Sequence, residues 1–267
     1  MLVAERRAQI AKQVEAKGSV RVAELSAYFG VTEETIRRDL EELERQQILK
    51  RTYGGAVKWS GTGYELPYAK RRAKNAKEKA KIAQAAVKLL SEGDTISLDA
   101  STTVLAMCQL MRHIGRLTVL TNSIQAMIEL AGRPGGRSGI HVIGTGGSVR
   151  ETALSFVGPL AERAIADHHV DKAFISCKGL HPEVGITDSN ELEVELKKRM
   201  AESARRLIVL ADHTKFGYIA FARIASLQAI DTIITDDGVD PADVRLIEEA
   251  GVKVIVAGGE SSSTSAQ

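Results

Sequence analysis

The chain has 267 residues, 44% apolar and 26% charged, which excludes global disorder and leaves room for roughly two domains. No apolar run approaches the ~20 residues of a membrane-spanning helix, and residues 1–7 lack the apolar stretch of a secretory signal, so a cytoplasmic protein with no membrane partner is expected. Its two cysteines, Cys108 and Cys177, exclude a disulfide framework and a cysteine zinc site.

The net charge of +2 is unevenly placed: residues 1–58 carry +2, residues 59–81 carry +5 and the remainder −5. A basic first part on an acidic body suits a polyanionic partner at one end. A solvated basic linker gives the same count.

Leu2, Ile10 and Val14 are spaced for one face of a first helix, which Gly18 stops. Val22, Leu25 and Phe29 mark a short second helix ended by Gly30. Thr32 is placed to N-cap a third helix with acids in its first turn, and Ile36, Leu40 and Leu43 give that helix one buried stripe. Residues 48–59 favour β structure around Gly54-Gly55, a short hairpin or wing. Such a winged helix-turn-helix binds DNA or serves as a small dimerisation module. Opposite the apolar stripe lie Glu34, Arg38, Glu41 and Arg45, flanked by Arg37. The N-terminal part of a recognition helix reaches base edges, which favours Glu34, Thr35, Arg37 and Arg38. The acidic run Glu41, Glu42 and Glu44 is expected to tilt away from phosphates.

Thr35-Ile36-Arg37-Arg38-Asp39-Leu40-Glu41-Glu42-Leu43, followed by Leu49-Lys50-Arg51-Thr52-Tyr53-Gly54-Gly55-Ala56, resembles the signature of the DeoR family of bacterial transcriptional regulators. The resemblance implies a double-stranded DNA operator as partner, contacted by Thr32, Glu34, Thr35, Arg37, Arg38, Arg51 and Tyr53. Two departures, Gln47 for a glycine before the wing and Tyr53 for a histidine on it, bear on wing geometry or phosphate contacts.

Residues 59–77 read as a basic flexible linker, in which Arg71 and Arg72 are more simply solvated than bound to the DNA backbone. From residue 78 to 260, short apolar strands at 95–98, 117–120, 140–143, 173–176, 207–210, 232–235 and 252–256 alternate with helical segments, including 192–204 and 242–250. That alternation predicts an α/β domain around a mostly parallel sheet. Residues 261–267 form a Ser/Thr tail expected to be disordered.

Ligands of open parallel sheets bind beyond the carboxyl ends of the strands, and those positions are polar in this chain. They hold Asp99 with Ser101, Thr102 and Thr103; Asn122; Gly146 and Gly147; Cys177 and Lys178; and Asp212 and Lys215. Hydroxyls and amides at helix N-termini suit an anion, and a glycine turn admits a phosphate closely. Lys178 and Lys215 add charge, and Asp99, Asp188, Glu191 and Asp212 can accept from ligand hydroxyls. The sum describes a site for a small phosphorylated polyol.

Residues 99–103, Thr121-Asn122-Ser123, Gly146-Gly147, Asp171-Lys172-Ala173-Phe174 and Thr235-Asp236 extend the resemblance to the DeoR effector domain, with Ala100-Ser101 departing from its usual Ser-Gly. The resemblance implies a fold related to ribose-5-phosphate isomerase, a phosphorylated sugar as effector and repression of a sugar-catabolism operon. The main alternative is a sugar-phosphate isomerase with an accessory DNA-binding domain. A nicotinamide sensor is disfavoured because Val149 stands where a dinucleotide loop from Gly144 needs glycine. The histidines lack metal-ligand spacing, so neither cofactor nor metal is expected. Cys108 reads as a buried structural thiol; Lys178 beside Cys177 could lower the pKa of that thiol, though a reactive role for it is disfavoured. A winged domain covers one half-site, so a homo-oligomer, at least a dimer, is expected.

Overall fold

A computed structural model describes residues 2–46, 48–58, 65–111, 114–131 and 139–258. The chain forms two compact units, Met1–Leu66 and Pro67–Gln267. Gln47, residues 59–64 of the expected linker and the expected tail over 261–267 lie outside the described residues.

The first unit runs α1 (Val3–Lys17), β1 (Ser19–Arg21), α2 (Val22–Phe29), α3 (Glu33–Arg45), β2 (Leu49–Thr52) and β3 (Gly55–Lys58). Gly18 and Gly30 end α1 and α2 in the left-handed conformation, where glycine carries no Cβ penalty. Ile10, Val14, Val22, Leu25, Ile36, Leu40, Leu43 and Leu49 form its core. Leu2, expected on the buried face of α1, is instead 70% exposed, because it precedes the helix and caps it. The wing also gains a strand: β1 pairs antiparallel with β3, giving the order β1-β3-β2. Three residues, Ser19–Arg21, are too short to register as a periodic pattern.

The second unit begins with α4 (Tyr68–Ala73) and α5 (Ala76–Val87), so the chain expected as linker up to residue 77 is helical from Tyr68. There follow β4 (Thr95–Leu98), α6 (Thr102–Leu110), β5 (Leu117–Thr121), α7 (Ile124–Ala131), β6 (Ile140–Gly144), the hairpin β7 (Ser148–Arg150) and β8 (Ser155–Val157), and α8 (Pro159–Ala166). Next come β9 (Val170–Ile175), β10 (Gly179–His181), β11 (Gly185–Asp188), α9 (Glu191–Ser203) and β12 (Ala204–Leu210). The unit ends with β13 (Ala222–Ala225), β14 (Thr232–Asp236), α10 (Pro241–Glu249) and β15 (Lys253–Ala257).

Seven strands form one parallel sheet in the order β15-β14-β12-β9-β4-β5-β6. The two-residue period of a strand splits its side chains between two cores. Phe174, Ile208 and Leu210 pack on the face of α5, α6 and α7, whereas Ala173, Ile175, Leu207 and Val209 pack on the face of α8, α9 and α10. Burial on both faces explains the continuous apolar runs. A smaller antiparallel sheet, β10-β11-β13, was not expected from the sequence.

Candidate functional site

In the first unit, α3 is built to expose one charged face. Thr32 caps it, its hydroxyl accepting from the Thr35 amide at 3.3 Å and lying 2.9 Å from the Thr35 hydroxyl. Ile36, Asp39, Leu40 and Leu43 face inward. Glu34, Arg37 and Arg38 face solvent: Arg37 donates to Glu33 at 2.6 Å, and Arg38 lies 3.5 Å from Glu34. Exposed pairs one helical turn apart are worth only ~0.3–0.5 kcal/mol, so they restrain the arginines only weakly.

The acidic run beyond them is neutralised within the unit. Hydrogen bonds from Arg45 and Gln46 hold the Glu42 carboxyl below the usual carboxylate range. The Arg51 amide donates to Glu44 at 2.8 Å, and its guanidinium lies 4.0 Å from both Glu41 and Glu44. Tyr53 is fully exposed at the wing tip, next to Gly54 with φ of 85°. Sequence reasoning missed Asp39 as an anchor; its two oxygens accept from Arg6 and Arg7. Its place on the Ile36/Leu40/Leu43 stripe was the available signal.

In the second unit, the parallel order brings the carboxyl ends of β4, β5, β6, β9 and β12 to one edge, and most of the candidate effector residues follow those strands. Ser101 caps α6, its hydroxyl accepting from the Val104 amide at 3.1 Å, and Thr102 and Thr103 are buried in the first turn. Leu98 pairs with Thr121 in adjacent strands, so Asn122 flanks Asp99. Asn122 is buried; its Nδ2 donates to the Phe156 carbonyl at 3.2 Å, and its Oδ1 accepts no hydrogen bond among the described residues. Gly146 and Gly147 hold φ of 65° and 116°, and a Cβ at Gly147 would meet the Val157 carbonyl at 2.8 Å. Lys178 is half-buried after β9, and Lys215 ends a short 3-10 turn over His213–Lys215, 3.8 Å from Asp212.

The acids of this rim are engaged by the protein. Asp99 accepts from the amides of Ser101 at 3.0 Å and Ser176 at 2.9 Å, and lies 3.3 Å from Lys197 Nζ. Lys197 also donates to Asp188 at 2.6 Å and to the Ser176 carbonyl at 2.8 Å. Burial alone would lower the Lys197 ammonium, but Asp188 and Asp99 outweigh it and hold the group charged. Sequence reasoning missed Lys197; its spacing from Glu193, Val194 and Met200 on the buried face of α9 was the signal. Glu193, also missed, accepts from the Ser155 hydroxyl at 2.5 Å.

Asp212 is held ionised: burial raises its carboxyl, but Lys215, Thr214 and Asn75 together bring it below the usual range. Glu191 stands apart, exposed in a groove of about 650 Å³ with Val194, Lys198 and Arg223, whose lining includes none of the other candidate residues. Cys177 corrects an expectation: burial pushes its thiol up to about 12, against the pull of Lys197 and Lys215. Among the described residues, no cluster of His, Cys, Asp and Glu could hold a metal ion, and no helix is long and apolar enough to cross a membrane.

Residues 6–61 match the DeoR-like helix-turn-helix domain, and residues 74–237 match the DeoR C terminal sensor domain. The chain is 48% identical over 254 residues to the "Uncharacterized HTH-type transcriptional regulator YulB" of Bacillus subtilis (strain 168), covering 95% of this chain and 96% of that one. It is 33% identical to the "Transcriptional repressor AccR" of Agrobacterium fabrum, covering 95% and 97%. Among solved structures, a D-ribose-5-phosphate isomerase in complex with phospho-erythronic acid is similar over 53% of this chain and 54% of that one, at 16% identity and a TM-score of 0.39, a likeness too small to bear on activity. With both domain types in order and relatives matched end to end, this chain belongs to the DeoR family of transcriptional regulators.

Proposed function

We propose that the protein is a cytoplasmic repressor of a sugar-catabolism operon, releasing its operator when a phosphorylated sugar binds the carboxyl edge of the parallel sheet. The observation that carries this reading is the pairing of Asn122 with the first turn of α6. A buried oxygen without a donor calls for an occupant, and that of Asn122 suits a ligand hydroxyl. The first-turn amides of Thr102 and Thr103 at the neighbouring helix N-terminus suit a phosphate. Ser101, Thr102, Thr103, Gly146 and Gly147 would surround the phosphate, Lys178 and Lys215 would supply charge, and Asn122 and Asp212 would take hydroxyls. Asp99 and Asp188 would act through Lys197, fixing the rim rather than touching the ligand.

On DNA, phosphate contacts from Arg51 and Tyr53 would supply position, and Glu34, Thr35, Arg37 and Arg38 would read bases. A palindromic operator needs two such domains, so the protein would act as a homo-oligomer. Tyr218, Ile219 and Phe221, exposed apolar side chains before β13, are available for subunit contact.

A sugar-phosphate isomerase is the weaker reading, since Asp99, Asp188 and Lys197 satisfy one another and none stands free to move a proton. Enrichment of random duplexes by the wild-type chain, followed by binding of Arg38→Ala to the selected operator, tests the DNA half. The variant should lose ~1–3 kcal/mol and relax one base position; an unchanged preference refutes the assignment. A melting-temperature screen against pentose and hexose phosphates tests the sensing half, because a ligand of the native state raises it. Turnover of any of them would reverse the non-enzymatic reading.

A further inference from the structure

The second unit opens with α4, turns at Asn75 and continues as α5. Asn75 holds φ of 53°, a left-handed conformation that asparagine tolerates better than most residues. This elbow sends its side chain to the rim. Asn75 Nδ2 donates to Asp212 Oδ1 at 2.9 Å and to the Thr214 hydroxyl at 3.4 Å. The same Asp212 oxygen accepts from the Thr214 amide at 3.2 Å and from the Thr214 hydroxyl, so its acceptor capacity is filled. On α4, the Arg71 carbonyl accepts from Lys79 Nζ and, more weakly at 3.4 Å, from the Thr102 hydroxyl of α6. Lys79 also donates to the Lys74 carbonyl at 2.7 Å, closing the elbow on itself.

Asp212 and Thr102 are two of the residues to which the proposed function gives the effector. The elbow therefore occupies, from within the protein, hydrogen-bonding positions that a ligand needs. We propose that the α4–α5 elbow is a built-in competitor of the effector. A phosphorylated sugar that takes Thr102 and Asp212 releases the Arg71 carbonyl and Asn75. The elbow is also the segment through which the chain runs back to the DNA-binding unit, so its release is what the operator senses.

This inference rests on the rim being the effector site. Lys79 supports it: burial, with Lys215, Arg71 and Lys74 nearby, pushes its ammonium down to about 8 against the attraction of Asp212. A buried cation among cations favours the arrival of an anion.

Coupling between two sites is reciprocal. A change that loosens the elbow must tighten effector binding and weaken operator binding together. Asn75→Gly keeps the left-handed backbone available and deletes the amide; Asn75→Asp sets a second carboxylate against Asp212. Both are made in the full chain and tested on the operator selected by the wild type, with ribose 5-phosphate, fructose 6-phosphate and inorganic phosphate as probes.

With no probe present, each variant should bind the operator at least about fivefold more weakly, with amides 68–80 exchanging faster with solvent. Any probe that raises the wild-type melting temperature should bind Asn75→Gly more tightly by a similar factor. In the wild type it should speed exchange at 68–80. Folded variants with faster exchange at the elbow but unchanged operator affinity overturn the inference, whether or not a probe binds. So does a bound probe that leaves wild-type exchange at 68–80 unmoved, which decides the matter even if a variant fails to fold. A wild type that selects no duplex sequence at all sinks the DNA-binding reading itself, and the inference with it.

Discussion

Arg6 Nε donates to Asp39 Oδ2 at 2.6 Å beneath the helix that presents Arg37 and Arg38, and Arg7 closes the other oxygen at 2.8 Å. Asp39 is 2% exposed and Arg6 7%. One buried acid thus ties α1 to α3 and fixes how the two helices pack. Losing one partner of a buried ion pair typically costs ~3–5 kcal/mol, because the other charge stays behind uncompensated. Asp39→Ala should destabilise the first unit by about that amount and abolish operator binding. Urea unfolding followed by circular dichroism checks this; a transition of the first unit unmoved from wild type would refute the anchor.

The wing depends on a glycine for space rather than for its torsion angle. A Cβ on Gly55 would sit 2.1 Å from the Val20 carbonyl, across the β1–β3 pairing. Gly54 beside it has open space but φ of 85°. Gly54→Ala should therefore cost only the left-handed penalty, ~1–2 kcal/mol. Gly55→Ala forces two main chains apart and should cost more, with loss of operator affinity as Tyr53 and Arg51 shift. Melting temperatures of the two variants give the ordering, and the reverse order would show that torsion, not contact, governs the wing.

The parallel sheet was legible because its central strands are buried on both faces, and a short apolar run such as Leu207–Leu210 needs no partner to be recognised. The polar residues after the strands were legible for the same reason, since sheet topology alone sends them to one edge. What the sequence hid was pairing at a distance. Lys197 and Asp188 lie nine residues apart on a helix and a strand, while Lys197 and Asp99 come from opposite halves of the unit. Periodicity marks Lys197 as facing inward but cannot name the acids it meets. The elbow was hidden differently: Tyr68–Ala73 is too short and too basic to read as a helix, and composition made it a linker. Cys177 shows the limit of judging by neighbours, since adjacency to Lys178 suggested an acidic thiol, whereas burial decides the opposite.

A thiol raised to about 12 is almost wholly protonated at pH 8, with a thiolate fraction of roughly one in ten thousand. In the native protein Cys177 should therefore resist iodoacetamide, while the urea-unfolded chain should react as an ordinary cysteine. Mass spectrometry of the labelled peptide distinguishes the states. Native labelling at the unfolded rate would mean that the rim behind β9 is open to solvent.

Replacing Lys197 should give the second unit a pH dependence that the wild-type cluster lacks. Burial alone would raise the Asp188 carboxyl; the charge and hydrogen bond of Lys197, with the Ser189 amide, outweigh it and hold the group below the usual range. An acid depressed on folding contributes stability that is complete above its unfolded pKa, near about 4, and is lost as pH falls through the folded value. Lys197, raised on folding, contributes stability that is complete below about pH 10 and is lost only as pH rises through its folded value. The wild-type cluster should thus hold its full contribution from about pH 5 to 9. Lys197→Met leaves Asp188 buried without its cation, so burial then dominates and protonation becomes favourable. The variant should lose ~3–5 kcal/mol at pH 7 and recover part of it on acidification to about pH 5, where the wild type gains nothing from this cluster. Melting curves of both chains across that range test the sign, and parallel profiles would show that Lys197 does not hold the Asp188 charge.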